Sequence, residues 1–411
     1  MGKESFFERE HVELSFLESN KEIPFGIEKI HNDGIGIGGA YCAWGKDVKN
    51  NDLPEFISER LNSSFSAEEA MNLDELGFLS RHQTPRMSQS EYREVEIEVG
   101  TRLVKGALEA NSWDPKEVDG LFVGSSGPVS QDYLIEIANR AGIREDALKI
   151  DIHKACDGSM GALQLVMNEN LATVGELNIA REMKGKKVLI GGFEGLSRMV
   201  ADSMDKNALQ LFGNGAGIFG FIPGESMKFL VGKSFENFDV EGLLQVKMLY
   251  PHSRIMEAGK SLIETYQESK FHLRLSGMMH EPLNGMNVWM AGLMGMVKLF
   301  VRSGVDVATD VYNDYRDLMK KMGTPERNIK FSVVHHANFK INQLKAKQLQ
   351  KIGINYPMPW ILSDFGNVSA ASCVIAFLRQ LDNVVPGDHI LFDGFGAGTF
   401  YDVMAIEMGK S

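Results

Sequence analysis

Three side chains in this sequence stand where a β-like run ends and a small-residue stretch begins. The first is Cys156, in "KIDIHKACDGSMGALQ". After "KIDIHKA" the chain turns at "CDGSMGA", where Gly158 and Gly161 permit close backbone approach. A cysteine there opens a helix, whose partial positive end favours thiolate over thiol. The same backbone N–H groups can hold a developing oxyanion. The plain structural alternative is an inert buried thiol.

The second candidate lies in "FSVVHHAN", a valine-rich strand ending in His335, His336 and an asparagine. One imidazole of the pair can cap the following helix or bond a carbonyl. Metal binding is disfavoured, because adjacent histidines on a strand face apart and no Cys or carboxylate spacing accompanies them. A thiol and an imidazole together suggest acyl transfer. The third candidate is Asn367 in "SDFGNVSAAS", which reads either as a helix N-cap or as an amide donor inside a cleft.

The elements that must position these groups alternate. From Gly34 onward "GIGIGGAYCA" reads as a strand with glycine kinks, and "YREVEIEVGTRLVKGALEAN" spaces its apolar residues for a helix. "VDGLFVGSSG", "LKIDIHKA", "KKVLIGGFEG" and "LFGNGAGIFGFI" read as further strands. A long helical stretch begins at "WMAGLMGMVKLF". The strand "IKFSVVHHAN", the amphipathic helix "FKINQLKAKQLQKIG", the turn and helix around Asn367 and two terminal strands follow it. Strand, reactive residue and small-residue helix occur around Cys156 and again around Asn367, which implies duplication at the level of fold. The expected divisions are an arm over residues 1–34, a first half over 35–225 and a second half over 226–411. The second half contains a Met- and aromatic-rich insertion at about 226–288. Its methionines fill core gaps or form an adaptable lid over an apolar tunnel.

The 411 residues are 44% hydrophobic and 24% charged, a balance that suits a globular chain with one large core or two linked ones. A net charge of −12 disfavours nucleic acid as a partner. Three cysteines, Cys42, Cys156 and Cys373, form no disulfide framework and fit a reducing compartment. The first residues carry no secretory pattern, and no window approaches the ~18 apolar residues of a membrane span. A cytoplasmic protein is expected.

"ACDGSMGAL", "VHHAN", "GNVSAAS" and the closing "GFGAG" occur in this order, with "GFLSRH", "DKNALQLFGNGAG" and "WMAG" in support. The set resembles the β-ketoacyl-acyl-carrier-protein synthase III branch of the thiolase superfamily, from about Gly34 to the C-terminus. The resemblance implies an α/β thiolase fold, two duplicated halves in a layered αβαβα arrangement, and a homodimer. It implies that Cys156 takes an acyl group from a thioester of acyl carrier protein or coenzyme A, with no other cofactor and no metal. His335 and Asn367 then donate hydrogen bonds to the thioester carbonyl of a malonyl-type extender. The enolate formed on CO2 loss is stabilised that way, in a decarboxylative Claisen condensation. Within the pair, His335 matches the family's histidine and His336 its variable slot. Backbone N–H groups of Cys156 and Ala397 form the acylation oxyanion hole. Lys206 matches a basic position of the coenzyme A site, and Lys340, with Lys345 and Lys347 nearby, matches the face that docks the carrier. The family's nucleotide-clasping tryptophan and arginine fall near Met71 and Glu75, where a carboxylate opposes phosphate.

Other readings remain in view. "GIGIGG" satisfies G-x-G-x-x-G, but no helix follows it, so a dinucleotide site is rejected. A degradative thiolase needs a second cysteine that "DGFGAG" lacks. Acyl transfer to an alcohol or amine is the main alternative, although Asn367 is retained. Non-decarboxylating condensation of the hydroxymethylglutaryl-coenzyme A synthase or head-to-head type needs a glutamate base that no motif places; Glu194 is a candidate without support from its pattern. The pathway, fatty-acid or polyketide, is not legible.

Overall fold

The structure is a computed structural model that describes residues 23–170, 173–174, 177–202, 205–236, 264–276, 293–397 and 400–409. Among the described residues two large sheets, with two small two-stranded ones beside them, and three helical layers make the molecule. The larger sheet has eight strands, in the order Phe25–Asn32, Ile37–Trp44, Asn214–Phe221, Val188–Gly195, Gly120–Gly124, Leu148–His153, His272–Ser276 and Glu264–Ser269. The smaller has four: Met227–Glu236, Phe400–Met408, His389–Gly396 and Ile329–Val334. Gly120–Gly124 runs parallel to both of its neighbours, and Ile329–Val334 runs parallel to His389–Gly396. Such strands are buried on both faces, which is why they read as continuous apolar runs.

The helices Gly158–Met167 and Ala371–Gln380 lie between the sheets. All ten residues of the first are buried, so it shows no solvated polar face; Gln164 is its one large polar residue, and its amide donates to Lys233 O at 2.9 Å. Ser159 Oγ donates to Ala370 O at 2.5 Å, which ties one central helix to the start of the other. Outside the large sheet lies Gln89–Asn111, started by a reciprocal Ser88–Glu91 capping box. Outside the small one lie Leu293–Lys321 and Phe339–Lys351. The layered αβαβα arrangement and the repeated strand-then-central-helix unit therefore follow the sequence expectation.

Two boundaries differ from it. Residues 25–32, expected in the arm, form the outermost strand of the large sheet, paired in register from Phe25 with Trp44 to Asn32 with Ile37. Lys29 and His31 are exposed and Glu28 half-buried at a sheet edge, where charge suits an edge strand but hides the alternation. The insertion, expected within the second half, sends its hairpin Glu264–Ser276 to the first: His272–Ser276 pairs in parallel with Leu148–His153. Gly36 of "GIGIGG" has φ +62° in a turn and a strand follows it, so these glycines serve a hairpin. The remaining arm, the 277–292 stretch and the "WMAG" motif lie outside the described residues, as does most of the proposed lid. Among the described residues no helix is long and apolar enough to cross a membrane.

Candidate active site

Cys156 sits in a single turn of 3-10 helix, Ala155–Asp157, between the strand Leu148–His153 and the central helix that begins at Gly158. Ala155, immediately before it, has φ +49°, a left-handed conformation that costs an alanine about 1 kcal/mol. Cys42 and Cys373 are fully buried, whereas Cys156 keeps partial access. Its thiol hydrogen-bonds the Ser369 side chain. The sequence expectation was a thiol shifted toward thiolate by the helix end. The structure gives the opposite sign: desolvation pushes the thiol up to about 12, and the Glu194 and Asp157 carboxyls oppose ionisation further.

Gly396 explains how the closing loop reaches this turn. A Cβ there would lie 2.6 Å from Lys154 O, 2.8 Å from Asp157 N and 3.0 Å from Cys156 N. Only glycine lets the two backbones meet, and this brings Ala397 beside the Cys156 turn. Asp157 is fully buried against Gly394 and is driven toward its neutral form by desolvation and by Asp402 beside it. Lys154 pairs with Asp402 and stands 3.6 Å from Asp157.

The two histidines have separate lives. His335 Nδ1 lies 2.6 Å from Ser372 Oγ, and its ring stands edge-on to Phe395 at 5.0 Å. Desolvation first, and then the neighbouring His336, lowers its pKa to about 3, so the ring is neutral. His336 Nδ1 lies 2.8 Å from Val334 O, its Nε2 accepts from Ile361 N at 3.2 Å, and its ring stacks on Trp360 at 4.5 Å. Both His336 nitrogens are spent on structure. His335 Nε2 has no hydrogen-bond partner among the described residues. The helix after the pair is capped by Asn338, whose Oδ1 accepts from Ile341 N at 3.0 Å.

Asn367 does not cap a helix: Ala371–Gln380 begins after Ala370, with no side-chain cap. Its Oδ1 accepts from Ser369 N at 2.9 Å, and its backbone N donates to Leu211 O at 2.8 Å. Ser369 adopts φ +42°, the second left-handed non-glycine residue of the site. The loop therefore brings Asn367 and the thiol of Cys156 to opposite ends of one residue, Ser369. The helix beginning at Ala371 carries Ser372 to His335. Three segments distant in sequence meet at residues 369–372.

The basic residues fare differently. Lys206 pairs with Glu69, and Lys340 pairs with Glu75 at 2.6 Å. Both pairs are partly exposed, a setting in which ion pairs contribute about 0–1 kcal/mol and yield to a stronger anion. The segment carrying Glu69 and Glu75 bridges the two basic elements: Gln210 Oε1 accepts from Met71 N, and Phe339 N donates to Leu76 O. Lys345 departs from the expected docking face. It is fully buried, with Nζ at 2.7 and 2.6 Å from the two oxygens of Asp393. The apolar spacing of that helix turns position 345 toward the core, while Lys347 stays exposed. Among the described residues no group of three His, Cys, Asp or Glu side chains is arranged to hold a metal.

Sequence reasoning missed Ser126, Ser369 and Ser372, and named Glu194 only as a candidate base for non-decarboxylating condensation. Serines in small-residue runs are common, so only the tertiary contacts distinguish these.

Comparison with known proteins follows the same lines. Residues 319–408, which include His335, Asn367 and Ala397, match the family described as 3-oxoacyl-[acyl-carrier-protein (ACP)] synthase III C terminal. The β-ketoacyl-[acyl-carrier-protein] synthase III of Azobacteroides pseudotrichonymphae genomovar. CFP2 is 23% identical over 396 residues, covering 93% of this chain and 99% of its own. The Bacillus anthracis protein named β-ketoacyl-[acyl-carrier-protein] synthase III 1 is 26% identical over 312 residues, 74% of this chain and 81% of its own. The crystal structure of 3-oxoacyl-[acyl-carrier-protein] synthase III from Aquifex aeolicus VF5 superposes with a TM-score of 0.58 at 19% identity, over 93% of this chain and 98% of that one. The fold is thus the thiolase fold of the condensing enzymes. In sequence the chain is similar to the β-ketoacyl-acyl-carrier-protein synthase III proteins, as its motifs implied.

Proposed function

We propose that this protein is a condensing enzyme that joins an acyl group held on Cys156 to a malonyl-type thioester by decarboxylative Claisen condensation. The observation that carries the reading is the convergence at residues 369–372: Ser369 contacts the Cys156 thiol and the Asn367 amide, and Ser372 contacts His335. Cys156 attacks the carbonyl of an acyl thioester, and the backbone N–H groups of Cys156 and Ala397 hold the oxyanion. The carrier thiol leaves, and the acyl enzyme remains. A malonyl thioester then enters, and its carbonyl accepts hydrogen bonds from His335 Nε2–H and Asn367 Nδ2–H. CO2 departs, leaving an enolate whose carbon attacks the acyl-Cys156 carbonyl; the C–S bond breaks, and Cys156 leaves as a thiolate that takes a proton from solvent to restore the thiol. A neutral imidazole suits this task, because donation to an enolate requires no proton gain.

The thioesters are carried by acyl carrier protein or coenzyme A, with Lys206 and Lys340 as the residues that meet the carrier or its phosphates. No other cofactor is needed. A cytoplasmic homodimer completes the reading. Intact-mass analysis after exposure to a panel of acyl thioesters tests it. The wild-type chain gains one acyl mass, and Cys156→Ala gains none. His335→Ala still self-acylates but releases no CO2 from malonyl thioester; normal CO2 release by that variant overturns the assignment.

A further inference from the structure

The thiol of Cys156 resists ionisation where it sits, so the proposed chemistry requires a destination for its proton. A continuous path leads away from it. The thiol bonds Ser369, and Ser369 Oγ lies 2.5 Å from Ser126 Oγ. Ser126 Oγ donates to Glu194 Oε1 at 2.8 Å. The carboxylate end is built. Glu194 is fully buried at the end of the strand Val188–Gly195, and Ser126 N and Ala370 N also donate to its Oε1, at 2.8 and 3.1 Å. Its Oε2 is buried without a hydrogen-bond partner among the described residues. Oε1 thus holds a loop of the first half to a loop of the second and is the oxygen that meets the Ser126 hydroxyl.

We infer that Glu194 is the proton acceptor for Cys156, acting through a two-serine relay of Ser369 and Ser126. The inference rests on the nucleophilic role proposed for Cys156. The thiol proton passes to Ser369 Oγ as the Ser369 hydroxyl proton passes to Ser126 Oγ and the Ser126 proton to Glu194. The thiolate forms its bond to the thioester carbonyl carbon, the carrier C–S bond breaks, and the proton returns along the serines to the departing sulfur. Glu194 ends as a carboxylate again. Such a transfer moves charge within the pocket without adding any, and so avoids the cost of a second buried anion. Burial raises Glu194 to about 8, near a working pH. The other groups facing the relay are Asp157 beside Cys156, the Tyr133 phenol, and Glu96, whose charge is matched by Arg198 at 2.9 Å.

The test is the pH profile of Cys156 acylation by acetyl-S-N-acetylcysteamine, read by intact mass and peptide mapping. In the wild-type enzyme the rate rises about tenfold per pH unit below about 8 and then levels. Glu194→Gln keeps the Oε1 acceptor and the loop contacts but takes no proton. Its rate falls at least tenfold at pH 7 and continues to rise above pH 8, without the plateau. Ser126→Ala, which removes no titratable group, gives the same loss, and the double variant is no slower than either single one. Additive losses, or a slower Glu194→Gln with an unshifted profile, assign these residues to structure alone and overturn the relay. Label on a residue other than Cys156 in the wild-type enzyme overturns the nucleophile reading as well.

Discussion

Ser372 Oγ stands between the two histidines: it lies 2.6 Å from His335 Nδ1 and accepts from His336 N at 3.4 Å. An oxygen that accepts the backbone N–H can turn its own proton to Nδ1, which fixes the His335 proton on Nε2. One hydroxyl therefore selects the tautomer that donates toward substrate.

Ser372→Ala removes that selection while leaving the thiol untouched. Self-acylation of Cys156 should persist, and CO2 release from malonyl thioester should fall about tenfold to a hundredfold, less than the ~10²–10³ lost with a whole oxyanion donor. Single-turnover acylation and CO2 assays run on the same preparation separate the two steps. Equal losses in both would remove Ser372 from this role.

How much of this was legible in the sequence depends on the kind of constraint. Buried parallel strands such as Gly120–Gly124 and the all-buried helix Gly158–Met167 announce themselves, because burial on every side permits only small and apolar residues. Motif order gave Cys156, His335 and Asn367 as candidates. The strand Phe25–Asn32 was hidden by charged residues that an edge position tolerates. The thiol's resistance to ionisation was not legible either, since it depends on desolvation and on Glu194, distant in sequence. Lys345 shows the same limit. Its helix reads as a basic face, and only packing reveals that one of those lysines is internal.

That internal lysine makes its own prediction. Removing one partner of a buried, well-bonded pair strands the other charge and costs about 3–5 kcal/mol. Lys345→Met should therefore lower the denaturant midpoint sharply, whereas Lys347→Met on the exposed face should leave it nearly unchanged. Lys345→Met combined with Asp393→Leu should recover much of the loss, because no charge is then left unpaired. Equal midpoints for the two single variants would contradict the buried pair.

Gly396→Ala tests the meeting of the closing loop with the nucleophile turn. A methyl group at 2.6 Å from Lys154 O and 2.8 Å from Asp157 N forces one backbone to move. Overpacking of this kind costs about 1–3 kcal/mol. The shift falls on the proposed oxyanion donors, so acylation should drop further than stability alone explains. A folded Gly396→Ala chain that acylates Cys156 at the wild-type rate would show that the loop has no part in it.

Acid should act on this fold through its histidines. The pKa of His335 is lowered to about 3 and that of His336 to about 4, both chiefly by desolvation. An unfolded chain takes up these protons near pH 6.5, before the native state does, so each histidine draws stability down as pH falls from 6.5 toward its folded value. The slope is at most ~1.4 kcal/mol per pH unit for each ring. Glu194 has the opposite sign: its pKa is raised to about 8, so the stability it confers below about 4.5 is lost as pH rises through 8. Urea midpoints compared between the wild-type enzyme and His335→Asn isolate one ring from the rest. Relative to the variant, the wild type should lose about 3 kcal/mol between pH 7 and pH 4. Parallel stability curves over that range would mean that His335 titrates in the native state as it does in water, and the buried neutral donor would be gone.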